Sequence, residues 1–276
     1  MNSPEGQALF SIPSYKPSDI AAFGVASLYY VLGVVLLVEG FISRRYRYAF
    51  YTVLTSWLLG VAFTARGRVF AESVWDDGQY LASSILENVA PNIISLVNFL
   101  LLIDLMHGLG KGPPRIMLKI IWVFSVTTLV AFGVMSTAGL VILSRSSTWD
   151  PDLTGINLVL ASIAGQMVTN LLFIVLAIVL MMWYTEALSK RAWVIVIYVS
   201  GLLVVARSSA RIAAAFYISS KVTRSTEAAY YCLGPLFTLA IISMWAAMNL
   251  PARCQHEAES LWDGQVDAEL DSSNAK

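Results

Sequence analysis

Seven long apolar stretches constrain the fold of this chain more strongly than any other feature of its sequence. A helix needs about 20 apolar residues to cross a bilayer core that is roughly 30 Å thick. Stretches of that order occupy residues 20–42, 49–65, 84–106, 120–143, 156–184, 192–217 and 228–248. Since backbone N–H and C=O groups find no water inside a bilayer, each stretch is expected to be a helix. We therefore predict an all-α polytopic membrane protein whose seven transmembrane helices form one bundle.

The composition agrees with lipid as the main solvent of the chain. Only 13% of the 276 residues are charged, whereas soluble domains carry about 25%. Eighteen basic residues balance eighteen acidic ones, so no net field attracts nucleic acid. The two cysteines and two histidines match no metal-ligand spacing, and no phosphate-binding glycine-rich motif is present. We expect no cofactor, no metal ion and no nucleic-acid partner; membrane lipids or lipid-like small molecules are the expected partners, and the oligomeric state stays open.

The sequence predicts one membrane domain, residues 20–250, between two polar segments. Residues 1–19 form a short N-terminal segment, and the acidic residues 251–276 have the composition of a disordered tail. Lysine and arginine are concentrated in the loops after helices one, three and five, and such loops face the cytoplasm. We therefore expect an extracytoplasmic N-terminus and a cytoplasmic tail, in either the plasma membrane or an endomembrane.

A weak internal similarity links helices two and three with helices six and seven. In each pair a glycine precedes an arginine by six residues, and a proline lies inside the following apolar stretch: Gly60, Arg66 and Pro91; Gly201, Arg207 and Pro235. The pattern suggests two parallel three-helix repeats around helix four, as in some transporters. Chance similarity between apolar segments is the alternative.

Ionisable residues inside the predicted spans are the strongest indication of function. A charged side chain at the bilayer centre costs roughly 2.5–3.5 kcal/mol even on insertion scales, so it needs a partner or water. At about 1.5 Å per residue, Arg66, Glu87 and Arg207 reach a similar depth in the outer half of the core. Arg211 lies one turn beyond Arg207 on the same face, and Glu227 begins helix seven at that level.

This convergence predicts a polar vestibule for a charged or zwitterionic headgroup. Arginine suits phosphate or carboxylate, and glutamate suits an amine. The alternative is a set of interhelical ion pairs with arginines that extend to the interface. Deeper in the bundle, Asn92 and Gln166 are candidates for lining a hydrophilic path, although hydrogen bonding between helices would also explain them. Pro91 is expected to free a backbone carbonyl near Glu87 and to kink helix three.

The order of several motifs resembles the fungal RTA-like lipid-translocating exporters. In the last two helices the similar positions are Arg207-Ser208-x-x-Arg211, Glu227, Tyr231, Pro235 and Asn249-Leu250-Pro251. Earlier ones are Tyr15-x-Pro17, Phe63-x-x-Arg66, Tyr80 to Pro91, and Gly155 through Gly165-Gln166 to Phe173. The chain departs from the family pattern at Ala214 and Gly234, where the family usually has acidic residues. The resemblance implies a seven-helix membrane protein that moves sphingoid-base-like lipids or related toxic compounds and confers resistance to them.

Three functions are compatible with these features. The first is translocation or efflux of an amphiphile, with Arg66, Glu87, Arg207, Arg211, Glu227, Asn92 and Gln166 as substrate-binding residues. The second is an integral-membrane cyclase of the lyase or isomerase type that acts on a polyprenyl or other lipid-soluble substrate. Glu87 or Asp104 would then be the proton donor. The third is a seven-helix sensor.

Overall fold

The helical prediction is confirmed throughout the part of the chain that the structure describes. The structure is a computed structural model, and it describes residues 18–43, 46–71, 77–108, 115–145, 153–183, 192–219 and 234–248. These residues form seven helices and no strand: α1 Asp19–Ser43, α2 Tyr46–Ala71, α3 Asp77–Gly108, α4 Arg115–Arg145, α5 Leu153–Trp183, α6 Ala192–Ser219 and α7 Pro235–Met248. The predicted N-terminal segment, up to residue 17, and the predicted acidic tail lie outside the described residues.

The helices extend beyond the apolar stretches from which they were predicted. Helix α3, for example, begins at Asp77 rather than at residue 84. Backbone hydrogen bonding continues into the polar interface, whereas the apolar stretch marks only the part that lipid must solvate. Among the described helices, α1, α3, α4, α5 and α6 are long and apolar enough to cross a membrane. Helix α2 has the length but carries several polar side chains, and α7 is described over 14 residues.

Local chemistry explains where two of the helices begin. The Ser18 hydroxyl accepts a hydrogen bond from the backbone N–H of Ala21 at 3.2 Å and so caps α1. The described part of α7 begins at Pro235, and proline is favoured in the first helical turn because the N–H it lacks would have no partner there.

Helix α3 is the central helix of the bundle. Each helix packs against the next along the chain, and α7 returns to pack against α1. Helix α3 also packs against α5 and α6, and 83% of its apolar window is buried, compared with 22% for α4. The sequence analysis expected helix four to lie at the centre, with the two three-helix repeats around it. That placement is wrong, because α4 lies at the periphery of the bundle. A peripheral helix contacts few neighbours and leaves most of its surface to lipid.

Small residues set the closest helix contacts. At the crossing of α4 and α5, a Cβ atom added to Gly139 would lie 2.8 Å from the carbonyl oxygen of Gly155. The ring of Phe132 in α4 lies directly against Gly165 of α5. Gly133, by contrast, has open space around its Cβ position. Close backbone approach at small residues is the usual basis of helix packing in membranes, where lipid tails remove the hydrophobic driving force.

The outer surface is apolar, as a bilayer requires. Large side chains that are exposed on the bundle include Val31, Val34 and Val38 of α1 and Ile120, Val130 and Val134 of α4. Soluble monomers rarely expose contiguous apolar surface on this scale. The protein is an integral membrane protein whose apolar helix faces are directed outward.

Candidate functional site

A buried ion pair joins α2 and α3 at the end of the bundle where α2 ends and α3 begins. Nη1 of Arg66 lies 3.4 Å from Oε2 of Glu87, and each side chain is 9% exposed. The guanidinium carbon of Arg66 also lies 5.6 Å from the ring centre of Phe70 and 5.3 Å from that of Tyr80. Aromatic faces stabilise a cation electrostatically, so this arginine is held by one charge and two rings.

Pro91 creates the contact that brings α6 to the same residue. Because proline has no N–H, the carbonyl of the residue four positions earlier loses its donor within the helix. That residue is Glu87, and Nη2 of Arg207 donates a hydrogen bond to its backbone oxygen at 3.2 Å. Arg207 is only 2% exposed. Glu87 therefore contacts α2 through its carboxylate and α6 through its backbone carbonyl. The sequence analysis expected Pro91 to free a backbone carbonyl near Glu87, and Arg207 binds such a carbonyl.

Arg211 completes the cluster from the next turn of α6. Its Nη1 donates a hydrogen bond to the side-chain oxygen of Asn88, and the amide nitrogen of Asn88 donates to the carbonyl of Ser84 at 2.8 Å. Arg211 is half-buried, whereas Arg207 is buried. We call these four residues the arginine cluster: Arg66, Glu87, Arg207 and Arg211. Its most accessible member is Arg211.

Helices α1 and α7 meet beside this cluster through Tyr29. The Tyr29 hydroxyl donates to the carbonyl of Pro235 at 2.8 Å, and its ring stacks on Phe63 with the centres 5.8 Å apart. Tyr29 is fully buried and interacts electrostatically with Arg207 and Glu87. Sequence reasoning missed Tyr29, because a tyrosine in an apolar stretch carries no signal of its partners.

The deeper predicted residues do not join the arginine cluster. Asn92 and Gln166 instead line a small cleft between α3, α4 and α5. Other amides at this depth form hydrogen bonds between helices. Asn170 of α5 donates to the Ser95 hydroxyl of α3 at 2.9 Å, and Ser200 of α6 donates to Asn98 of α3 at 2.7 Å.

Two predicted residues cannot be assigned to either group. Glu227 and the side chain of Asp104 lie outside the described residues. Within the described residues, no group of three or more His, Cys, Asp or Glu side chains is placed to hold a metal ion.

The family described as RTA1 like protein matches residues 52–256, which is more than half of the chain. The chain belongs to the RTA1-like protein family. This confirms the resemblance inferred from the order of motifs. The matched range of this RTA1-like chain includes the four arginine-cluster residues together with Asn92 and Gln166, and it begins after α1. No curated protein and no solved structure gives a significant match.

Proposed function

We propose that this RTA1-like membrane protein binds the headgroup of an amphiphilic lipid, or of a related toxic compound, at the arginine cluster and moves it between leaflets or out of the cell. The observation that carries this proposal is the convergence of Arg66, Arg207 and Arg211 on Glu87 and Asn88 inside an apolar bundle. A charge within a membrane helix is costly and marks a substrate or ion pathway more often than a structural site.

The charges in the cluster favour a headgroup with an anionic part. Three guanidinium groups and one carboxylate meet among the described residues, and that carboxylate is paired with Arg66. Arg211 is the most accessible of the three arginines, and its described hydrogen-bond partner is a neutral amide. A phosphate or carboxylate can therefore bind there bidentately. A sphingoid-base-like amine would have to share Glu87 with Arg66.

Helix α3 supports a route for the headgroup along a row of polar side chains on one of its faces. These are the half-buried Ser84 and the buried Glu87, Asn88, Asn92 and Ser95, and they extend over about 17 Å at the usual helical rise. The route begins at the half-buried Arg211 and continues toward the cleft at Asn92. Polar groups along the route replace part of the hydration that a headgroup loses on leaving water.

The orientation proposed from the basic loops places the arginine cluster in the outer half of the membrane. A reporter fused after Lys276 should then be cytosolic. A protease added outside should cleave only the N-terminal segment and the loops near residues 75, 149 and 220. External cleavage between Arg44 and Arg47 would reverse the proposed orientation.

Transport is tested with the purified full-length protein in lipid vesicles. Hexadecyl phosphate, hexadecylphosphocholine and hexadecylamine are loaded separately, and their transfer to an external acceptor is followed by mass spectrometry. Arg207→Ala should lower transfer about tenfold or more, because hydrogen bonds from a charged donor contribute about 1.5–3 kcal/mol. Arg211→Lys should lower transfer less, since the positive charge remains but the planar guanidinium group, which can form two parallel hydrogen bonds, is lost.

Arg68→Ala is the matched control, because Arg68 is an exposed arginine on the same helix as Arg66. This variant should transfer all three compounds normally. Normal transfer by a well-folded Arg207→Ala protein would make the arginine cluster purely structural and would refute the proposal.

No structural observation favours the cyclase alternative. Its predicted donor Glu87 is engaged with Arg66, and the Asp104 side chain is not described. The same mass spectrometry discriminates between the two functions. A new product, isomers included, that forms in wild type and disappears in Glu87→Gln would identify an enzyme. Unchanged amphiphiles that cross the vesicle membrane support a transporter.

A further inference from the structure

A second polar site lies deeper in the bundle than the arginine cluster. It is the cleft between α3, α4 and α5, and six of its lining residues are polar: Asn92, Ser95, Ser125, Thr128, Gln166 and Thr169. Its enclosed space is roughly 10 Å³, close to the minimum that one water-sized group needs. The cleft can therefore hold a small polar group but not a whole lipid.

A deeply buried donor in the cleft has no hydrogen-bond partner among the described residues. Asn92 is 3% exposed, and its amide nitrogen has no hydrogen-bond partner among the described residues. A buried donor left in this state costs about 1–3 kcal/mol. The hydroxyls of Ser125 and Thr128 donate to carbonyls of their own helix, those of Trp122 and Ser125. Their oxygens keep capacity to accept a hydrogen bond.

This donor and these acceptors are complementary to a hydroxyl group. A hydroxyl accepts one hydrogen bond from the Asn92 amide and donates one to a serine or threonine oxygen. A carbonyl would satisfy only the amide, and a charged group would meet no opposite charge among the six polar residues. The chemistry of the cleft thus selects a neutral oxygen that both donates and accepts.

We propose that the cleft is a hydroxyl-binding subsite for the amphiphile whose headgroup binds the arginine cluster. The inference rests on the proposed function. Asn88, which holds Arg211, and Asn92 lie one turn apart on the same face of α3, which is about 6 Å along the axis. The preferred substrate class is therefore an amphiphile that carries an anionic group and, a few bonds further along, a hydroxyl.

Binding to the purified full-length protein in detergent tests the subsite with two probes that differ in one group. One probe is lysophosphatidic acid with a hexadecanoyl chain. The other is its deoxy analogue, in which hydrogen replaces the glycerol hydroxyl. Wild type should bind the hydroxylated probe about tenfold more tightly, the factor expected for one good hydrogen bond to a buried donor.

Asn92→Leu should abolish this preference, so that the two probes bind with equal affinity. Asn98→Leu is the control, because Asn98 is a fully buried amide of the same helix whose nitrogen also lacks a partner among the described residues, yet it does not line the cleft. Thr128→Val, an isosteric change inside the cleft, should reduce the preference even if Asn92→Leu folds poorly.

The outcomes separate the subsite from the proposed function. An equal preference in wild type and Thr128→Val, or one that Asn92→Leu retains, would overturn the subsite. Loss of preference in Asn98→Leu as well as in the cleft variants would also overturn it, because the effect would then be one of general packing. Transfer of both probes across vesicles without preference keeps the transport function and rejects the subsite. Preferential binding without any transfer keeps the subsite and rejects the transport function.

Discussion

Helices α3 and α4 are similar in length and both are apolar enough to span a membrane, yet they occupy opposite environments in the bundle. Helix α3 is mostly buried, and α4 mostly exposed. The difference lies in their polar residues, because α3 carries Glu87 and several amides, whereas residues 120–143 of α4 include no charged residue, asparagine or glutamine. In lipid, apolar surface gains little from burial, so polar groups that need partners decide which helix is central.

The largest effect on stability should come from the charged pair that anchors α3. Glu87→Gln leaves the buried Arg66 guanidinium without its carboxylate, and breaking such a pair costs about 3 kcal/mol. Reversible unfolding of the purified protein in mixed micelles measures the change. The double variant Arg66→Gln with Glu87→Gln should lose less than the sum of the single variants, since the residues are coupled. Additive losses would mean that the pair is not formed.

A packing change where α4 crosses α5 should have the next largest effect on stability. In Gly139→Ala the added Cβ would meet the Gly155 backbone, and overpacking of this kind costs about 1–3 kcal/mol. Gly133→Ala is the matched control on the same helix, because nothing lies within 4 Å of its Cβ position. It should leave the unfolding free energy unchanged or slightly raised. Equal losses in both variants would contradict the crossing of α4 and α5 at Gly139.

A neutral hydrogen bond of α3 should contribute less than either of these. Asn170→Ala removes the bond between Asn170 and Ser95 that joins α5 to α3, and such bonds contribute about 0.6 kcal/mol on average and up to about 1.7 kcal/mol. A double-mutant cycle with Ser95→Ala, measured as unfolding free energies, isolates the interaction energy between the two side chains. A coupling near zero would show that the amide is not a connection between these helices.

The outward face of α4 should be the least sensitive region. Val134 is 62% exposed, and Val134→Ala should change the unfolding free energy by about 0.5 kcal/mol or less, as expected for substitutions that remove no buried contact. The same measurement checks it. A loss as large as that of Gly139→Ala would mean that this face is covered, for instance by a second copy of the chain.

Much of the fold and part of the site follow from local rules. The seven helices were predictable because apolar length reports directly on the need to cross lipid. The convergence of Arg66, Glu87 and Arg207 was predictable because helical rise fixes depth from residue number. The free carbonyl of Glu87 was predictable from Pro91, since the missing N–H and the affected carbonyl are four residues apart in any helix.

Only the tertiary structure decided how those helices are arranged and which groups meet. It placed α3 rather than α4 at the centre, separated Asn92 and Gln166 from the arginine cluster, and paired Arg211 with Asn88. It also brought Tyr29 to the cluster and distinguished Gly139 from Gly133. Each of these depends on how a helix is rotated about its axis and which helix it faces, and noncovalent contacts between distant parts of the chain determine both. The depth of a residue in the membrane depends on its own helix alone, whereas the residues that it contacts depend on how two helices pack together.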